Sequence, residues 1–513
     1  MKIESYKILG QNVFDEVTTP RHFFDLKEKN AVGIFHSYYG QWSGRHQEIR
    51  KNAISLYDKT SLSLIGHLEN IKFPINDIDY DPIQNEVILG TGSYDGGCFF
   101  EGELLLWNLS NGSTTNLIRD NREIPKCQFI GDQIEFKVYP TDDIMTQDFT
   151  IKTYRISRNY SNQQQLENLK PTEINDFENF QNEFNAENEI IELLKQSAFH
   201  SNPKSMIWDL VMVKETIYAA CSKGIVFIYD LTNETIKYLK LTDKGDCVQV
   251  FFNSTTNKVI VNTSFRGANV EDYSIVYEIN TTSHEFSKII QGTFALSKSD
   301  ENYFLARQTD HENLGKNDVI YDPHFKRIAS TSLGNYDLFN HYIRIDETKK
   351  LYALIGNPTS SSRNKSIIQI NPLNGQIEKK LPLEKQPVHF NNPNFLMTNG
   401  RIIYQGKIYN YKPNEIAYKM NCINANGEVL WSQQLNGNAI SLLALPKQLC
   451  FLCILNTGRI ELRDIETGSL IKDITENLKT YNCKPICMYK KDEKIAIGFD
   501  SGLIELMKIK NGR

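Results

Sequence analysis

Several features that would announce a chemistry are missing from this 513-residue chain. It has no long basic run, and its formal net charge is −5. Nothing therefore drives phosphate-backbone binding by counterion release, and nucleic acid is not an expected partner. There is no phosphate-cradling glycine loop, no dinucleotide fingerprint and no G-x-S-x-G nucleophile elbow. The ten histidines show no metal-ligand spacing and no H-E-x-x-H. The most apolar stretch, Ile440–Leu455, is broken by Pro446, Lys447 and Gln448. It reads as two short strands and a turn, too short to span a bilayer. The N-terminal text MKIESYKILGQNVF lacks the apolar core of a secretory signal. The expected setting is accordingly the cytoplasm, with the nine scattered cysteines as reduced core thiols.

What is present is β-forming material. Apolar residues make up 40% and charged residues 23%, and the 25 Tyr and 27 Phe supply strand-favouring bulk. Strand-length apolar runs alternate with turn signals from about residue 20 to the end of the chain. One piece of text recurs: a strand ending in an aromatic or polar pair, a turn, and a second strand. Its copies lie at 54–65, 104–118, 226–239, 275–289, 319–330, 367–381, 421–435 and 460–474. Asn-Gly pairs such as Asn374-Gly375 and Asn426-Gly427 supply the positive backbone angles of tight hairpins. Two further units, weaker in text, lie at 133–157 and 485–509. The last has three strands and no fourth, for which Tyr6–Leu9 is a candidate. The period, roughly 40–50 residues, is that of four-stranded propeller blades.

The richest unit is Gly66–Ile118. Gly66-His67 leads into INDIDYDP, then EVILGTG, then Ser93-x-Asp95-Gly96, and finally LLLWN with Trp107. This resembles a WD repeat, and the text around Asn374-Gly375 and Asn426-Gly427, with Trp431, resembles quinoprotein-like propellers. The resemblance implies an all-β chain. It is expected to be a single β-propeller over residues 1–513, one ring of about eight four-stranded blades with seven to ten open, closed by its terminal strands. It also implies a structural hydrogen-bond tetrad of His67, Ser93, Asp95 and Trp107. Physically, a buried aspartate needs such partners. Departures are the inserted Cys98–Glu103 and a long gap after Gly-His.

Other constellations read as structure. Asp77, Asp79 and Asp81 begin like a calcium loop, but Pro82 stands where the turn glycine belongs, and the text fits a strand with Ile78 and Tyr80 inward. Cys450 and Cys453, with Cys483 and Cys487, suggest zinc, but residues three apart on a strand face opposite ways. Gln41–His46 is a polar and aromatic stretch that fits a surface turn or a binding face. Residues 161–203, rich in Asn, Gln and Glu, read as a helical insertion. Pro171-Thr172-Glu173 is its start signal and Ile174, Phe177, Phe180 and Phe184 its apolar stripe. That stripe packs on the propeller wall, docks a partner, or stays disordered; Phe177, Phe180 and Phe184 are the candidate partner-docking residues.

No catalytic, cofactor-binding or metal-binding residue is assigned, and no cofactor is expected. The expected function is a non-catalytic scaffold holding other proteins in a cytoplasmic complex, with no transmembrane segment. Two alternatives stay open: an enzyme or small-ligand binder with its site at the central channel, and a structural subunit of a coat-like or membrane-associated assembly.

Overall fold

The computed structural model describes all residues except 1, 11–12, 40–49, 95–99, 141–149, 159–162, 177, 179–185, 197–203, 267–271, 300, 309–315, 334–349, 357–364, 384–387, 390–394, 410–415, 481–482 and 511–513. The described residues form antiparallel sheets in strict succession, the signature of a β-propeller. Numbered in chain order, sheets 1 to 3 cover residues 19–71, 75–116 and 126–176. Sheets 4 to 6 cover 207–240, 246–292 and 294–331. Sheets 7 to 9 cover 351–382, 388–435 and 439–473. Sheet 10 joins 485–510 to the N-terminal strand Lys2–Leu9. Eight of the ten have four strands; sheet 7 has three among the described residues, and sheet 8 has five.

Each of the ten units legible in the sequence is one of these sheets, and the eight strong copies are the last two strands of their sheets. Their shared text has a local cause. The Asp or Asn at the end of the next-to-last strand turns its side-chain oxygen back onto the following backbone N–H groups. Asp58 accepts from Thr60 and Ser61, Asn108 from Ser110 and Asn111, Asp230 from Thr232 and Asn233, and Asn280 from Thr282 and Ser283. Asn371, Asn424 and Asp464 do the same for Leu373, Asn426 and Thr467. This Asx geometry starts the hairpin. Glycine then closes it where the backbone turns left-handed, as at Gly375 (φ 71°) and Gly427 (φ 84°).

The chain divides into two compact units. One comprises Gln11–Gln41 and Ile49–Lys204 and contains sheets 1 to 3. Buried clusters join sheet 1 to sheet 2 around Ile54, Ile78, Leu89 and Trp107, and sheet 2 to sheet 3 around Ile88, Ile124 and Phe136. Helix α1 (Ala186–Gln196) sets Ile190, Leu193 and Leu194 against Phe14, Val32, Ile34 and Tyr57 on sheet 1. The expected helix is therefore real over these residues, and its packed face is apolar. Its expected start is not. Glu173–Asp176 is the fourth strand of sheet 3, paired with Thr150–Ser157, and Ile174 points outward. The open edge of that strand supplies backbone partners that outweigh a weak local helix signal.

The other unit comprises the described residues of Met1–Gly10 and Ser205–Arg513, and contains sheets 4 to 10. Each sheet shares a buried apolar cluster with the next. The last also meets the first. The Sγ of Cys487 lies 3.9 Å from the Ile207 carbonyl, and a Cβ on Gly498 would stand 2.7 Å from Ile207 and 3.1 Å from Leu210. The succession closes on itself. Lys2–Leu9 supplies the missing outer strand of sheet 10, running from Lys2↔Lys510 to Leu9↔Ile504, as expected for Tyr6–Leu9. Ile3 enters the cluster between sheets 9 and 10 with Leu452, Ile474, Met507 and Ile509.

Replacing Ile3 by Ala removes a buried side chain from that cluster and should cost about 2–5 kcal/mol. Lys2→Ala, at an exposed position, should stay within about 0.5 kcal/mol. Denaturant unfolding of the full chain decides this, and equal midpoints for the two variants would show that the strand does not contribute to closure.

Candidate functional site

Within the first unit, most of the polar side chains that the fold takes out of water lie in or beside sheets 1 to 3. Their positions begin with a recurring irregularity. In six of the ten sheets the first strand shifts register near its start, at Pro20/His22, Ile75/Asp77, Ile207/Asp209, Cys247/Gln249, Ala439/Ser441 and Pro485/Cys487. A bulge of this kind re-aims the side chains around it. In sheet 2 it sends Asp77 and, two residues on, Asp79 toward the first strand of sheet 3. Asp77 accepts the Cys127 N–H at 3.0 Å, with the Lys126 ammonium 3.5 Å away, and Asp79 accepts the Phe129 N–H at 2.8 Å. Asp81 is paired with Arg158 and caps the turn at Ile83 and Gln84. The three aspartates thus join and end strands, while Ile78 and Tyr80 are buried, as the strand reading expects. In sheet 4, within the other unit, Asp209 repeats the device by accepting the Val250 N–H of sheet 5 at 3.0 Å.

Asn76, the extra residue of the sheet 2 bulge, donates its Nδ2 to Glu123 Oε1 at 3.0 Å. Glu123 is 8% exposed, and its second oxygen has no donor among the described residues. Burial pushes this carboxyl up to about 7, against the opposing hydrogen bond from Asn76. Gly92 lies against it, since a Cβ there would stand 2.4 Å from Glu123 Cγ. The Glu123 N–H donates to the Phe100 carbonyl. Phe100 belongs to the short hairpin formed by Ser93–Tyr94 and Phe100–Glu101. Phe100 packs on Tyr139 and Ile151.

Sheet 1 holds a chain of hydrogen bonds whose direction can be assigned. The Thr18 N–H can only donate, and it meets His36 Nδ1 at 3.4 Å. That nitrogen is therefore the acceptor, and the neutral ring donates from Nε2 to Ser55 Oγ at 3.2 Å. The Ser55 hydroxyl then donates to His67 Nδ1 at 2.9 Å, and His67 Nε2 donates to Glu69 at 3.2 Å. The two imidazoles stack at 5.7 Å. Burial, aided by His67 and Lys204, pushes His36 down to about 3.

The residues expected in a tetrad are placed as follows. His67 is on the outer strand of sheet 1 and spends its ring nitrogens on Ser55 and Glu69. Ser93 is in the short hairpin, paired with Glu101. Trp107 is buried in sheet 2, where its ring meets the backbone of Gly66, so that no Cβ would fit there. Asp95 lies outside the described residues, as do Phe177, Phe180, Phe184 and Gln41–His46. Sequence reasoning missed His36, Ser55, Asp209 and Glu123. The signal was available for three: His36, Ser55 and Asp209 are polar residues set in the apolar-rich texts VGIFHSYY, AISLYD and IWDLVMV.

Cys450 and Cys453 are both buried on one strand of sheet 9. Cys450 enters the cluster shared with sheet 10 and Cys453 the cluster shared with sheet 8. The two thiols face opposite ways, as their spacing predicts.

The outer strands carry a different feature. In five consecutive sheets of the larger unit the last strand holds an exposed apolar side chain: Phe286, Ile328, Ile377, the pair Val429 and Leu430, and the pair Leu470 and Ile471. Exposure reaches 54% at Ile471.

The two buried titrating groups give opposite pH slopes. His36 has a folded pKa of about 3 against an ordinary 6.5, so its neutral form stabilises the protein above 6.5 and that stability is lost as pH falls toward 3. The loss should be roughly 1.4 kcal/mol per pH unit inside that window. Glu123, raised from 4.5 to about 7, contributes stability below 4.5 that is lost as pH rises through 7. Unfolding free energies between pH 4 and 8 should therefore lose acid sensitivity in His36→Gln and alkaline sensitivity in Glu123→Gln. A variant whose slope matches the parent would refute the corresponding assignment.

No protein-family model matches the chain, and no curated protein matches it. Among solved structures, virginiamycin B lyase from Staphylococcus aureus is similar at 10% identity, over 60% of this chain and 96% of that one, with a TM-score of 0.44. The computationally designed Ika8 protein is similar at 11% identity, over 86% of this chain and 98% of that one, with a TM-score of 0.26.

Proposed function

We propose that this chain is a non-catalytic β-propeller platform, of the WD-repeat or quinoprotein-like kind, whose outer strands hold other proteins in a cytoplasmic complex. The observation that carries this reading is the repetition of exposed apolar residues on the last strands of sheets 5 to 9. Single exposed apolar residues are ordinary, but their recurrence on the last strand of five successive sheets is not. A last strand also offers backbone N–H and C=O groups along its open edge, a ready means of pairing with another chain.

The buried polar groups fit the same reading. The His36–Ser55–His67 chain and the aspartates at the bulges are spent on neighbouring protein groups, which suits holding strands together. Glu123 is the one group whose chemistry favours the enzyme or ligand-binding alternative, because a carboxyl near pH 7 can give and take a proton. Its burial beneath the short hairpin weighs against that use.

Affinity capture from the native cell tests the platform. The paired substitutions Val429→Lys with Leu430→Lys, and Leu470→Lys with Ile471→Lys, should each reduce co-purified partners at least fivefold, with melting within about 2 °C of the parent. Full recovery of partners by both variants would overturn the reading.

A further inference from the structure

The outer strands of sheets 9 and 10 are separated by a groove of about 370 Å³. Its floor is apolar, formed by Ile3, Leu462 and Ile474. Its walls carry Lys2 from the N-terminal strand, and Lys472 and Lys479 from the other side. The only carboxylate lining it is that of Glu4, which is already matched by Lys2 and Lys510. The nearby Asp473 is held by Arg459 at 2.6 Å. Lys472 and Lys479 have no ion-pair partner among the described residues, and both are exposed. The groove is therefore apolar below and carries unspent positive charge above.

Its long wall is a strand edge. Lys2–Leu9 stands last in the strand order of sheet 10, so one side of it pairs with no other strand among the described residues. The Asn477 Nδ2 donates to the Ile3 carbonyl at 3.2 Å, within the groove lining. The exposed Leu470 and Ile471 precede Lys472 on the facing strand.

The geometry points to this groove as the seat of an extended acidic segment of a partner protein, with apolar and acidic residues in alternation. The proposal rests on the platform reading and names the partner's chemistry. In an extended chain alternate side chains face opposite ways. One row then fills the floor over Ile3, Leu462 and Ile474, and the other meets the ammonium groups of Lys472 and Lys479. Those lysines sit in water, so their contribution should be screened by salt and act strongly on partner selection.

The test uses the full chain and two labelled octapeptides, alternating Glu-Val and alternating Glu-Ser, followed by fluorescence anisotropy. The Glu-Val peptide should bind, weaken between 50 and 300 mM salt, and lose at least tenfold in affinity when Lys472→Glu and Lys479→Glu are combined. Lys326→Glu, an exposed charge reversal on sheet 6, should leave binding within twofold. Three outcomes would overturn the groove assignment: no binding of Glu-Val, equal binding of Glu-Ser, or equal losses in the two charge reversals. Its failure is separable from that of the platform. If the peptide does not bind while Val429→Lys with Leu430→Lys still abolishes partner capture, the platform stands and the groove falls.

Discussion

Sheets stacked side by side meet without a shared hydrogen-bond ladder, and this constraint governs the molecule. Within each unit first strands of neighbouring sheets lie against one another, as in sheets 1 and 2, 2 and 3, 4 and 5, and 9 and 10, and backbone N–H groups there must find acceptors away from water. Side chains provide them. Asp77 and Asp79 take the N–H groups of Cys127 and Phe129, and Asp209 takes that of Val250. Gln405 similarly accepts from Ala439, joining sheet 8 to sheet 9, and Glu505 accepts from Lys479 and Thr480 ahead of sheet 10. Apolar clusters fill the rest of each seam. They supply the larger free energy but do not fix register. The bulge near the start of six first strands fits the same requirement, because it frees a side chain to turn along the seam instead of across the sheet.

The same logic separates structural polarity from functional polarity. A buried histidine with an assigned tautomer, bonded to a buried serine and a second histidine, has the components of proton-transfer chemistry. Here each donor and acceptor is matched by a protein group within sheet 1, and Ser55 is fully buried. The arrangement holds three adjacent strands together. The outer strands are the reverse case: in five of them apolar side chains stand exposed.

Much of the fold was legible because it is local. The Asx turn that opens most of the last hairpins calls for Asp or Asn at one position, and that text recurs wherever the geometry recurs. The strand reading of Asp77–Asp81 and the opposed faces of Cys450 and Cys453 follow from a period of two, which needs no tertiary knowledge. What escaped the sequence depends on partners distant along the chain. Glu173–Asp176 has composition suited to a helix start and became a strand because Thr150–Ser157 offered an edge. Glu123 looks ordinary in REIPKC, and only the closeness of Gly92 and Asn76 makes it a buried acid. The division of ten sheets into groups of three and seven is likewise a matter of long-range contact, invisible to a repeat count.

The pairing of Lys2–Leu9 with Ile504–Lys510 also sets a timetable. During synthesis the first strand leaves the ribosome early, and the residue that faces Ile3 is Ile509. At about 5–20 residues per second, translation of the intervening chain takes roughly 25–100 s. Throughout that interval Ile3 lacks its mate, and the last sheet cannot be completed by any order of local folding. The seam between sheets 9 and 10 therefore cannot be completed before Ile509 is made, and until then Ile3 and the edge of its strand must be kept from pairing elsewhere.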